Sequence, residues 1–244
     1  MVLKFTGSFT QQEAISEKAI EAAIAVMRHG RLHRYNVIHG ETAETVLLEQ
    51  EFAKSCGAKY CLAVASGGYA LTTALRASGI EKDDIVLTNA FTLAPVPGAI
   101  HGAGGRPVFV EITKDLVLDL DDLKQKIQST NAKFLMLSHM RGHLVDMDAL
   151  IEITNNAGIK VIEDCAHTMG ANWNGTPSGR SGVIGCFSTQ TFKHINSGEG
   201  GFLITDDVEV MAKCYMKVIW LVLLLKLLKI FDTTHQIVPE EWII

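Results

Sequence analysis

Three groups of residues in this sequence have types and positions suited to a shared chemistry. Lys193 lies in FSTQTFKHINSGEGG, among aromatic and small residues ahead of a glycine-rich turn. If it is partly buried, its ammonium is disfavoured and the neutral amine becomes a nucleophile toward a carbonyl carbon. A solvated surface lysine is the competing reading. Asp164 closes the apolar run KVIE and precedes Cys165-Ala166-His167. There it serves either a ligand at a strand end or the cap of the next turn. His167 alone is equally compatible with a structural role. Ser66-Gly67-Gly68 joins an apolar run to a helical one, where outward N–H groups and the helix dipole make a seat for phosphate, unless the glycines only turn the chain. Taken together, a phosphate seat, an acid and a lysine are what pyridoxal 5'-phosphate requires. The phosphate docks on the helix N-terminus, and the lysine forms a Schiff base. The acid keeps the pyridine nitrogen protonated so that the ring can accept electrons.

The elements that position these residues follow from periodicity. Apolar residues at helical spacing (Ile15, Ala19, Ala22, Ala23, Val26) predict a helix over 11–29 that stops at Gly30. A second amphipathic helix is expected over 42–55. Short continuous apolar runs predict strands at 60–65, 85–87, 108–110, 134–137, 160–163, 183–187 and 201–204. Helices at 69–77, 97–102, 121–128 and 146–155 alternate with them. This alternation predicts an α/β fold with a mostly parallel central sheet and helices on both faces. Ligands in such sheets sit beyond the strands' carboxyl ends. The segments to inspect are therefore 66–68, 89–93, 138–143, 164–167 and 188–193.

Composition bounds the partners. The 244 residues are 48% hydrophobic and 20% charged, the profile of a folded globular chain, and the net charge of -5 offers no basic footprint for nucleic acid. Five cysteines without a CxxC pair read as reduced thiols in a cytoplasmic protein. Residues 217–231, KVIWLVLLLKLLKIF, are the most apolar stretch, but Lys226 and Lys229 interrupt it well short of the roughly 20 residues of a membrane span. A buried or partner-seeking helix is the expectation, with a membrane-surface helix as the lesser option.

Other constellations are poorer. His139 and His143 are four apart, but Gly142 and a strand-end setting argue against a helical metal pair, so no metal is expected. His29, His33 and His39 are irregularly spaced. Gly179, Gly182 and Gly185 match neither GxGxxG nor a P-loop.

The segments VIEDCAHTMGANWNG and GCFSTQTFKHINSGEGGFLITDD resemble the DegT/DnrJ/EryC1/StrS family of pyridoxal-phosphate sugar aminotransferases. Support comes from VASGGYALTTAL, which is similar to the family's SGTxAL element, and from GGRPVFVEI and RGHLVDMDAL. The resemblance runs from Phe9 to Lys217. It implies an aspartate-aminotransferase-like large domain of fold type I over 1–217, with 218–244 an atypical tail. It further implies that Lys193 is the Schiff-base lysine and the proton carrier, that Asp164 holds the pyridine nitrogen, and that His167 reaches the ring hydroxyl. Ser188 and the amides of Gly67 and Gly68 would hold the phosphate. The implied substrates are a nucleotide-linked keto sugar and glutamate or glutamine as amino donor, in a homodimer. An amino-inositol precursor is a further option. Lys193 argues against the related sugar dehydratases, which carry His there.

The sequence departs from the family in four places. SGT is SGG, so Gly68 brings no hydroxyl. A Thr-aromatic pair becomes Thr92-Leu93, with Phe91 nearby as a possible cover for the cofactor ring. The family's His-Leu-aromatic-Gly becomes His139-Met140-Arg141-Gly142, which brings a new cation beside the site. Beyond Lys217 the resemblance stops, and the expectation is a lost C-terminal domain and impaired transamination. The alternative is a non-catalytic fragment or a protein that self-associates through 218–231.

Overall fold

The computed structural model describes residues 14–32, 34 and 37–218. The tail at 219–244, the first residues of the expected 11–29 helix and His33 lie outside them. Contacts group the chain into two compact units, Met1–Leu48 and Glu49–Ile244.

In the first unit, α1 (Glu17–His29) begins later than the expected start at 11, because Ser16 is its cap: the hydroxyl accepts from Ala19 N at 3.4 Å. The helix ends at Gly30 as the sequence predicts, with Gly30 N–H bonded to Val26 O. Its apolar stripe is left open, and no α1 residue is buried. Arg31 binds both oxygens of Glu41, at 2.9 and 3.2 Å. Helix α2 (Glu44–Cys56) starts in this unit and enters the second at Glu49.

The second unit holds a seven-stranded sheet. Its strands are β1 (Tyr60–Val64), β2 (Ile85–Asn89), β3 (Arg106–Val110), β4 (Phe134–Ser138), β5 (Lys160–Asp164), β8 (Ile184–Ser188) and β9 (Gly201–Thr205). A separate two-stranded ribbon pairs β6 (Asn172–Trp173) with β7 (Thr176–Pro177). The large sheet runs in the order β1-β9-β8-β5-β4-β2-β3. Every pairing is parallel except those of β9, which is antiparallel to both β8 and β1. All residues of β4, β8 and β9 are buried. These central strands are covered on both faces, which is why they read as unbroken apolar runs.

Alternation along each strand divides the core. Met136, Ile162, Ile184 and Leu203 face one side, where they meet Ala70, Leu71, Ala74 and Leu75 of α3 (Gly67–Ala77), Val96 and Ile100 of α4 (Pro95–Gly102), and Met211 and Cys214 of the helix at 208–218. Leu135, Leu137 and Val161 face the other, against Leu123 of α5 (Leu120–Ser129) and Leu150 of α6 (Met147–Asn156). On that second face Phe52 of α2 stacks on Phe202, with ring centroids 4.1 Å apart.

The strand ends run further than periodicity predicts. β2 continues to Asn89, β4 to Ser138 and β5 to Asp164, because these polar residues still pair in the ladder. Ser188 pairs with Gly201, which also pairs with Val64. The carboxyl ends of β1, β2, β4, β5 and β8 thus share one edge of the sheet.

Candidate active site

Along that edge, α3 starts directly after β1. Ser66 caps it, its hydroxyl accepting from Tyr69 N at 3.1 Å. This leaves the N–H groups of Gly67 and Gly68 without an acceptor among the described residues, with the helix dipole behind them. Ser188 lies against this turn. A Cβ on Gly67 would come within 2.8 Å of the Ser188 Cβ, whereas one on Gly68 would find its nearest neighbour, Pro95 Cβ, at 3.9 Å. Among the described residues, Ser188 Oγ accepts only a long bond from Gln190 N, 3.3 Å, and its own proton is unengaged. Two free amides and a free hydroxyl converge where sequence reasoning puts a phosphate. The glycines differ in kind: the first is required by close approach, the second is not. Gly67→Ala should therefore lower stability by about 1–3 kcal/mol through overpacking, while Gly68→Ala should be neutral or gain up to about 1 kcal/mol of helix propensity. Urea titration of the two variants checks the contrast.

Asp164 ends β5 with both carboxylate oxygens held. Oδ2 accepts from Ser138 Oγ at 2.9 Å and Oδ1 from Ala166 N at 3.1 Å. Ser138 is itself clamped. The buried Asn89 side chain accepts from Ser138 N at 2.9 Å and donates to Ser138 O at 3.0 Å, and also to Phe91 O at 2.8 Å. Asn89 and Ser138 fall in the strand-end segments singled out by sequence, but their link to Asp164 spans distant parts of the chain and has no local signal.

Lys193 sits in the loop between β8 and β9. Cross-loop bonds hold that loop: Thr189 N to Gly200 O at 3.0 Å, Ser197 N to Thr189 O at 2.9 Å and Lys193 N to Gln190 O at 2.8 Å. Its half-buried side chain places Nζ 2.8 Å from His167 Nε2. The proton inventory of this contact is informative. His167 Nδ1 accepts the N–H of Arg141 at 3.3 Å, so a neutral imidazole carries its proton on Nε2. That nitrogen is the one that contacts the Lys193 amine. Burial lowers the pKa of both groups. For His167 the charge of Lys193 adds to the effect, with a smaller contribution from Arg141, and for Lys193 the Arg141 charge adds to it while Asp164 opposes. Both shifts run toward the uncharged forms, as desolvation beside other cations requires.

Arg141, Ala166, His167, Phe192, Lys193 and His194 line an open pocket of about 340 Å³. Of the six residues expected at the site, His167 and Lys193 meet here, with Asp164 acting on both electrostatically; Gly67 and Ser188 meet at the α3 turn, which Gly68 shares. Leu93 is exposed and Phe91 half-buried, and Thr92 Oγ1 is buried without a hydrogen-bond partner among the described residues.

Behind the edge, Glu163 is buried and accepts four bonds. They come from His139 Nε2 (3.0 Å), Gly179 N (2.9 Å), Ser181 N (2.8 Å) and Gly182 N (2.7 Å). Two of the three regularly spaced glycines thus serve a carboxylate of the chain itself. His139, Glu163 and Cys165 bring potential ligand atoms within 4.8 Å of one another. Glu163's lone pairs are already committed, and burial pushes the Cys165 thiol pKa far up, so the donor set suits a hydrogen-bonded brace better than a cation.

Residues 13–221 match the model of the DegT/DnrJ/EryC1/StrS aminotransferase family. The chain belongs to that family. It is 34% identical over 71% of its length to dTDP-3-amino-3,4,6-trideoxy-alpha-D-glucose transaminase of Micromonospora megalomicea subsp. nigra, covering 46% of that protein. It is 30% identical over 80% of its length to L-glutamine:scyllo-inosose aminotransferase of Streptomyces griseus, again covering 46%. Among solved structures, S. venezuelae DesV, in complex with a ketimine intermediate, superposes with a TM-score of 0.72 at 32% identity, covering 82% of this chain and 53% of that one. The chain spans about half the length of the relatives it matches. The mostly parallel sheet with flanking helices is that of the fold-type-I aminotransferases, as the sequence resemblance implies. No described helix is long and apolar enough to cross a membrane.

Proposed function

We propose that this chain binds pyridoxal 5'-phosphate at Lys193 and takes part in moving an amino group from glutamate or glutamine to a nucleotide-linked keto sugar. The observation that carries this reading is the half-buried Lys193 amine, 2.8 Å from His167, on the sheet edge that also bears Asp164, Ser188 and the unspent amides of Gly67 and Gly68. The residues fit the cofactor: orphan donors await an anion, a carboxylate awaits a ring nitrogen, and an amine whose pKa burial lowers awaits a carbonyl.

When bound, the cofactor supplies a carbonyl that condenses with amines and a protonated ring that withdraws electrons from the neighbouring carbon. The protein's residues do the rest. Gly67 N–H, Gly68 N–H and the Ser188 hydroxyl would hold the phosphate at the positive end of α3. Asp164 would keep a proton on the pyridine nitrogen, its orientation set by Ser138 and Ala166. His167 would turn its Nε2–H to the ring oxygen. Lys193 would move a proton between the substrate Cα and the cofactor C4′.

The names of the relatives, one for glutamine as donor and one for a dTDP-linked sugar, support the substrate classes. The same reading takes the protein as a cytoplasmic homodimer, in keeping with its five free cysteines.

The test is amino-group bookkeeping. The cofactor-loaded protein given glutamate alone should release 2-oxoglutarate only to the amount of bound cofactor, and continuous release should require a keto-sugar nucleotide. Sustained release without an acceptor, or no release from glutamate at all, overturns the aminotransferase reading.

A further inference from the structure

We propose that Arg141 forms a carboxylate subsite beside Lys193, seating the carboxylate of the amino-acid donor. The inference rests on the reading of Lys193 as the cofactor-bearing amine and adds which side chain receives the second reactant.

Four observations carry it. First, Arg141 and Lys193 line the same pocket, and no lining residue is acidic. Asp164, the carboxylate that acts electrostatically on Lys193 and His167, has its oxygens on Ser138 Oγ and Ala166 N. Second, the Arg141 guanidinium is exposed and makes no hydrogen bond or ion pair among the described residues. By contrast, Arg180 grips Asp206 through two nitrogens at 2.7 and 2.8 Å, and Arg31 grips Glu41. Third, Arg141 is held in the left-handed region at φ 55°, ahead of Gly142 at φ 86°. This conformation is unfavourable for a side-chain-bearing residue and is retained where surrounding structure enforces it. In this turn the Arg141 N–H bonds to His167 Nδ1 at 3.3 Å, which ties the arginine to the imidazole that contacts Lys193. Fourth, the positive charge of Arg141 disfavours protonation of both Lys193 and His167. An arriving anion relieves that repulsion.

The planar guanidinium fork matches a carboxylate through two parallel bonds. In an α-amino acid the carboxylate is one bond from the carbon that reacts, so anchoring it orients that carbon toward Lys193. The donors assigned to the cofactor phosphate, Gly67, Gly68 and Ser188, do not line this pocket, which leaves Arg141 for a different anion.

Calorimetric titration with glutarate, a donor skeleton without its amine, tests the subsite on the chain with and without cofactor. Inorganic phosphate at matched ionic strength serves as the second probe. Glutarate should bind the wild-type chain, and Arg141→Gln should weaken it by about tenfold or more, with Arg141→Lys recovering part of the loss. Borohydride reduction and mass spectrometry of each variant report separately whether the cofactor attaches to Lys193. Glutarate binding that is indifferent to Arg141→Gln, or phosphate binding as tight as glutarate and equally dependent on Arg141, overturns the carboxylate subsite. Arg141-dependent glutarate binding to a chain that does not attach cofactor leaves the subsite standing and overturns the Lys193 reading.

Discussion

Lys193→Ala should give a folded protein that no longer takes up pyridoxal 5'-phosphate covalently. The wild-type chain, incubated with the cofactor and reduced with borohydride, should carry the pyridoxyl mass on the peptide containing Lys193. The variant should carry none, with an unchanged circular dichroism spectrum. The fold is expected to survive because the loop is held by backbone bonds, Lys193 N to Gln190 O and Thr189 N to Gly200 O among them, and none uses Nζ. Attachment should also have a shifted pH dependence. Burial, helped by Arg141 and opposed by Asp164, lowers the Lys193 pKa, so the reactive neutral amine is reached at lower pH than in an ordinary lysine. The attachment rate should rise with pH and level off early, and Arg141→Gln should move that plateau upward. A pyridoxyl label elsewhere in the chain, or a plateau at the ordinary lysine position, would sink the assignment.

The second large effect is expected behind the site. Glu163→Gln should destabilise the protein by about 3 kcal/mol, the upper end of the range for leaving buried hydrogen-bonding groups without a partner. The carboxylate accepts from His139 and from three backbone amides of the 179–182 loop. A carboxamide presents an NH₂ to at least one of those donors. Burial alone would raise the Glu163 pKa, but the bonds from His139, Gly182 and Gly179 outweigh it, and the net direction is down. A carboxylate whose pKa is lowered by folding stabilises the fold fully above its unfolded pKa. That contribution is lost as pH falls through the lower folded value. The gap between wild type and variant should therefore be full near pH 7 and shrink in acid, below the ordinary glutamate range. Urea unfolding across that interval measures it, and a gap independent of pH would show that the ionised carboxylate is not what braces the loop.

Much of this arrangement was legible in the order of residues. The alternation of apolar runs and helical repeats predicts the sheet, and each expected strand exists. The segments after the strands contain the residues that later meet at the edge, except His194, which lines the pocket one position beyond its segment. Local reasoning stopped short where pairing is non-local. Asn89 and Ser138 look like loop residues in sequence, yet the ladder extends through them because neighbouring strands supply their partners. Glu163, read only as the residue before Asp164, is a brace because the turn after β7 folds its amides back onto it. The glycine spacing at 179 and 182, which matches no nucleotide motif, has its explanation there.

The sequence by itself determined the local matters: which segments are strands, that a helix follows the Ser66-Gly67-Gly68 turn, and which chemically able side chains fall just past strand ends. These depend on periodicity and capping, which act within a few residues. The tertiary structure alone decided strand order, the reversal of β9, the Asn89–Ser138–Asp164 chain, and the approach of Lys193 to His167 and Arg141. Those depend on which distant strands share a ladder and which loops pack together. Such contacts are set by the burial of the whole sheet between its helices, and no stretch of sequence contains that information alone.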